Sequence, residues 1–209
     1  MCENLGEASV DDRTQWRKEN LIVEETDNVL RQWERKLYSV YANKMSKDVG
    51  KVRNRWTLKI WDKFINDAKL IDEQFTIQIS KLAYHFAKMD VVDEHKHIIR
   101  YQTMSWLEFI ESLARIVQFK KMPAKERIEM VGKNDVCEYY DWLIEEGITH
   151  QEHMLREPME CDEEGAEQDP FAWQLDQLIR LIFRNLKLDG QTFSEMRPPD
   201  DASKNGGRR

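Results

Sequence analysis

Glycine and proline are scarce in this chain, with eight and five among 209 residues. That scarcity excludes a turn-dense β sandwich, and the 41% hydrophobic content excludes a chain too polar to fold. No apolar run approaches the length of a membrane span and no apolar leader follows Met1, so no membrane association is expected. Cys2 stands where N-myristoylation by the usual motif requires glycine. The three cysteines, Cys2, Cys137 and Cys161, share no metal-like spacing and cannot all pair, which fits a reducing cytoplasm. A formal net charge of −7 offers no global positive field for nucleic acid. Glycine-rich phosphate loops, G-x-S-x-G elbows and HExxH patterns are all missing, so neither catalysis nor a cofactor is expected.

Apolar residues at helical spacing are abundant. A helix after Thr26 carries Leu30, Trp33, Leu37, Val40 and Tyr41 on one face. A second follows Thr57 as N-cap, with Ile60, Trp61, Phe64, Ile65 and Ala68 aligned, and a third follows Thr76, with Ile79, Leu82, Ala83 and Phe86. A polar loop from Asp90 to Thr103 leads to a fourth, where Ser105 and Glu108 form a capping-box pattern. Two more helices are expected. One runs from about Ala124 to Glu146, and the other begins at the Asp169-Pro170 cap and ends before Gly190. The organisation expected is all-α. A flexible arm spans 1–20, a four-helix unit 21–121, a C-terminal helical extension 122–190 containing an acidic linker 157–169, and a disordered tail 191–209.

Charge is distributed unevenly. Between Lys44 and Lys63 lie seven basic residues against Asp48 and Asp62, while the linker holds seven carboxylates and no lysine. Lys44, Lys47, Lys51, Arg53 and Arg55 form the candidate partner-binding loop. It reads either as a solvated polar loop or as a surface for an acidic protein partner, such as the face or tail of tubulin. His95 with His97, and His150 with His153, each offer two metal ligands but lack a third, so surface histidines and no metal site are expected. Cys137, beside Tyr139 and Tyr140, reads as a packed, inert thiol. Of the seven tryptophans, Trp56, Trp61 and Trp106 belong to a core stripe with Phe64 and Phe109, which leaves Trp16, Trp33, Trp142 and Trp173 as candidate anchors for partners.

The segment from Met104 to Leu113 resembles the end of an EF-hand loop running into its outgoing helix. Met104 stands at loop position 8, whose apolar residue pairs with its twin across a two-stranded bridge. Glu108 stands at position 12, the bidentate calcium ligand, and the aromatic Phe109 follows it. The segment from Trp56 to Phe64 has the same shape, with Trp56 at position 8 and Ile60 at position 12. Over residues 26–119 the order of elements is similar to the degenerate, calmodulin-like EF-hand pairs of protist flagella and cilia.

The ligand positions depart from that pattern. Positions 1, 3 and 5 are His97, Ile99 and Tyr101 in the second loop and Val49, Lys51 and Arg53 in the first. Gln102 and Asn54 replace the turn glycine. Calcium requires six to eight oxygens, which one surviving glutamate does not provide. A longer second loop beginning near Asp90, Asp93 and Glu94 is the alternative. The resemblance therefore implies a non-catalytic, calcium-independent adaptor of the cytoskeleton, in a flagellar or ciliary axoneme, with tubulin or other axonemal proteins as partners. The competing expectation is a calmodulin-like light chain gripping an amphipathic target helix.

Overall fold

A computed structural model describes residues 13–44, 55–162 and 169–187, and among them the chain is mainly helical with one two-stranded sheet. The first long helix, α1 (Glu24–Lys44), precedes strand β1 (Trp56–Thr57) and helix α2 (Leu58–Asp67). Helix α3 (Ile77–Phe86) and a short helix α4 (Ile98–Gln102) lead to β2 (Thr103–Met104) and α5 (Trp106–Phe119). Helices α6 (Lys125–Met130), α7 (Val136–Glu146), α8 (His150–Arg156) and α9 (Phe171–Asn185) complete the described chain.

The helix starts follow from local side-chain chemistry. Thr57 and Thr76 accept hydrogen bonds from the backbone N–H groups of Ile60 and Ile79, so each satisfies a donor that the first helical turn leaves open. Ser105 and Glu108 form the full reciprocal capping box at the start of α5. These are the caps the sequence announces. Between them β1 and β2 pair antiparallel, and the register sets Trp56 opposite Met104 and Thr57 opposite Thr103. The two loop ends are thus tied side by side, at the residues the resemblance assigns to the bridge.

Four expectations need correction. The helix expected from Ala124 to Glu146 is two helices. Gly132 takes a left-handed φ of 69°, and Asp135 recaps the chain by accepting from the Glu138 N–H at 2.9 Å. A further helix, α8, follows Gly147 and starts with a Thr149–Glu152 capping box. The loop between Asp90 and Thr103 contains the single turn α4. Finally, residues 13–20 are not a loose arm: a helical turn at 13–16 continues into the π-turn Arg17–Leu21, and Arg17 donates to the buried Glu111 of α5 at 2.9 Å.

The Asp169-Pro170 pair also works differently from a simple cap and first turn. Pro170 is the N-cap of α9 and provides no side-chain bond, whereas the Asp169 carboxylate accepts from the Lys125 N–H at 2.8 Å. One residue therefore tethers the start of α9 to the start of α6. Residues 163–168 of the acidic linker, and 191–209 of the tail, lie outside the described residues, while Glu160–Asp162 forms a short 3-10 turn.

A single core runs through all of this. Trp56, Trp61, Phe64 and Phe109 are fully buried, and the inner faces of α1, α2, α3 and α5 join Leu175, Leu178, Ile179 and Ile182 of α9 in one cluster. Helix α9 packs against α1, α5 and α7, and its Phe183 stacks on Trp33 at 5.3 Å. The C-terminal helices are therefore built into the core of the preceding ones.

Candidate functional site

The sheet brings the two loop ends together around one carboxylate. Glu108 lies in the first turn of α5 and is 2% exposed. Its Oε2 accepts from the Ser105 N–H at 2.6 Å, from Ser105 Oγ at 2.7 Å and from Arg55 Nη2 at 2.9 Å. Its Oε1 accepts from the Met89 N–H at 3.0 Å and faces Lys88 Nζ at 3.3 Å. Both oxygens are thus engaged by donors from three stretches of the chain.

Arg55 is the residue just before β1, and its side chain crosses to the other loop. Its Nε donates to Thr103 Oγ1 at 2.7 Å and its Nη2 to the Thr103 carbonyl at 2.9 Å, besides the bond to Glu108. Lys88, at the end of α3, also donates to the Thr103 and Arg100 carbonyls. Burial disfavours the Glu108 charge, but the Ser105 and Met89 donors and the nearby Lys88 outweigh it and hold its carboxyl below the ordinary range. Burial pulls the Lys88 ammonium below its usual value, against the opposing pull of Glu108.

An aromatic shell encloses this polar centre. Tyr41, Trp56, Trp106 and Phe109 have ring centroids 4.8–5.7 Å apart, and Tyr41 Oη donates to the Met104 carbonyl at 3.0 Å. Trp56 Nε1 returns a bond to the Tyr41 carbonyl at 2.9 Å, and Tyr84 Oη donates to the Gln102 carbonyl at 3.1 Å. Burial pushes both tyrosine hydroxyls above their normal range. The two tyrosine hydroxyls thus hold backbone carbonyls of the second loop end, and Trp56 ties the first to α1, so the loops are clamped from the apolar side as well.

The five candidate partner-binding residues fall into three groups. Arg55 is turned inward and committed to Glu108 and Thr103. Lys44 pairs with Asp67 at 2.6 Å near the surface. Lys47, Lys51 and Arg53 lie outside the described residues. Two cations further along the chain, Lys59 and Lys63 of α2, are exposed.

The remaining candidates are placed as follows. His95 and His97 are exposed, and no group of three potential metal ligands occurs among the described residues. His153, by contrast, is no surface histidine: it is buried, with Tyr139 Oη 2.7 Å and Arg127 Nη1 3.4 Å from its Nδ1. His150, half-buried, lies 3.0 Å from the same tyrosine oxygen. The four candidate anchor tryptophans are all packed inward: Trp33, Trp142 and Trp173 lie against the core, and Trp16 sits edge-on to Phe171 at 5.9 Å. Cys137 is half-buried on α7. Missing from the sequence reading were the roles of Arg55 and Lys88. A basic residue one place before Trp56, in a loop otherwise short of carboxylates, was the available signal for the first.

No helix among the described residues is long and apolar enough to cross a membrane. No family model, curated protein or solved structure matches the chain in comparisons with known proteins.

Proposed function

We propose that this protein is a non-catalytic adaptor of the flagellar or ciliary axoneme, built on an EF-hand-like pair whose loops are held together without calcium. The observation that carries this reading is the occupation of Glu108. The carboxylate at the calcium-clamping position of the resemblance has both oxygens bound by protein donors, two of them cationic. Arg55 reaches it from the opposite loop and so couples the two loops as a shared ion would. A guanidinium carries its charge permanently and cannot be released by a change in calcium concentration. The Trp56–Met104 pairing agrees with the same arrangement.

The packing of α9 weighs against the light-chain alternative. A target helix would need an open apolar face on the four-helix unit, and α9 lies across α1 and α5 with its own amphipathic stripe. Helix α9 thus covers apolar surface of α1 and α5 from within the same chain. Partner binding is then left to charged surface, and the exposed Lys59 and Lys63 of the basic stretch suit an acidic protein such as tubulin.

Tagging the protein in a flagellated cell and extracting with detergent tests the reading. Retention along the axoneme is expected, and co-sedimentation with microtubules should weaken when Lys59 and Lys63 are both changed to glutamate. A diffuse signal that detergent removes completely would contradict the proposal.

A further inference from the structure

Helices α7 and α9 run in parallel. The Val136 N–H at the start of α7 donates to Gln177 Oε1 at 3.1 Å, and further along both helices Asp141 pairs with Arg184. Lys187, three residues past Arg184, therefore comes level with Ile144, three past Asp141. Asn185 Nδ2 donates to the Ala68 carbonyl at 2.8 Å, which ties the same end of α9 to the connection between α2 and α3. Lys187 itself has a left-handed φ of 57°, so the chain turns off the helix axis there.

Beside this end lies a groove of about 340 Å³ between α7, α8 and that connection. Tyr140, Leu143, Ile144, Ile148 and Met154 give it an apolar lining, and Ile144 is 71% exposed. An isoleucine left in water forgoes the burial that its neighbour Leu143 has. Glu73 and Lys121 also line the groove, exposed and without an ion-pair partner among the described residues, whereas the Asp72 carboxylate beside them pairs with Lys120.

The segment that leaves α9 matches the groove in both respects. Residues 188–199 lie outside the described residues and read LDGQTFSEMRPP. They hold the large apolar side chains of the tail, Leu188, Phe193 and Met196, and Glu195 and Arg197 flank Met196 with one charge of each sign. From Lys187 to Phe193 is about 20 Å of extended chain, ample to reach Ile144 and Ile148 from where α9 ends.

We propose that residues 188–199 dock in this groove of their own chain. Phe193 and Met196 are the apolar anchors, and Glu195 and Arg197 meet Lys121 and Glu73. The end of α9 delivers the segment to the groove, the apolar lining accepts its two large side chains, and the two unpaired charges fit the pair it carries. Docked there, the segment covers Ile144 and links α9 to α8.

The test uses the full chain with ¹³C-labelled isoleucine and methionine methyl groups. Nuclear Overhauser contacts are expected between the Phe193 ring and the Ile144 and Ile148 methyls, unchanged on dilution. Phe193→Ser should shift both methyl signals while leaving those of Ile22 and Ile98, exposed elsewhere, in place. Ile144→Glu alters a side chain outside the core, and it should move the Met196 methyl signal to its position in a free peptide of residues 188–199. Ile144 and Ile148 signals that ignore Phe193→Ser, or a Met196 signal already at the free-peptide position in the unaltered chain, would overturn the proposal. Contacts that vanish on dilution would also overturn it, by assigning the groove to a second copy of the chain.

Discussion

Replacing Glu108 with glutamine preserves the side chain's shape and removes its charge. Arg55 and Lys88 would then face each other across a neutral amide, in a site whose carboxylate is almost completely buried. Breaking a buried, hydrogen-bonded ion pair from one side costs about 3 kcal/mol, and urea unfolding of Glu108→Gln should show a loss of that order. The pH dependence follows from the same residue. Its folded pKa lies below the ordinary carboxylate value of 4.5, so its contribution is complete above that value and is lost as the pH falls through the folded pKa. The wild-type protein should therefore lose stability more steeply than Glu108→Gln on acidification below about 4.5. Parallel curves would show that the Glu108 charge contributes nothing.

At the scale of single elements, the breaks between helices are the informative features. Gly147 closes α7 with a left-handed φ of 68°, and a Cβ added there would meet no atom within 4 Å. The cost of Gly147→Ala is thus purely conformational, about 1 kcal/mol, and a stability loss of that size with an unchanged helical signal is expected. Elements with side-chain caps were the most legible in the sequence. Thr57, Thr76 and Ser105 each mark a helix start correctly because the cap chemistry is contained within four residues. The interruption at Gly132 was harder to see, since Ile128, Val131, Tyr139 and Leu143 keep a helix-like rhythm through it. Helix α4 left no trace in the pattern, because its five residues bury no side chain. The N-terminal turn escaped notice for a different reason: it is held by Arg17 reaching Glu111, a contact 94 residues away in sequence.

At the scale of the molecule, α9 decides whether the chain is a platform with an appendage or one cooperative body. Its Phe183 is buried against Trp33, and its apolar stripe joins the same core as Trp56 and Phe109. Phe183→Ala should cost about 3–4 kcal/mol, and unfolding followed separately by tryptophan emission and by far-UV circular dichroism should remain a single coincident transition. Two separated transitions would mean that α9 unfolds on its own. The sequence indicated an amphipathic helix there but not its partner, since periodicity identifies an apolar face without naming what covers it. The site showed the same division. Met104, Glu108 and Trp56 take their places from the resemblance alone, whereas the convergence of Arg55 and Lys88 on Glu108 depends on the sheet register and on where α3 ends.

Calcium titration of the purified chain, followed by tryptophan emission, bears most directly on whether the paired loops are held shut by the chain's own cations. Trp56 and Trp106 flank the two loop ends, and Trp61 lies one turn into α2, so reorganisation of either loop would alter their surroundings. With Arg55 and Lys88 occupying Glu108, emission should stay constant as calcium is raised through the micromolar to millimolar range typical of EF-hand sites. A saturable change in that range would contradict a calcium-independent pair.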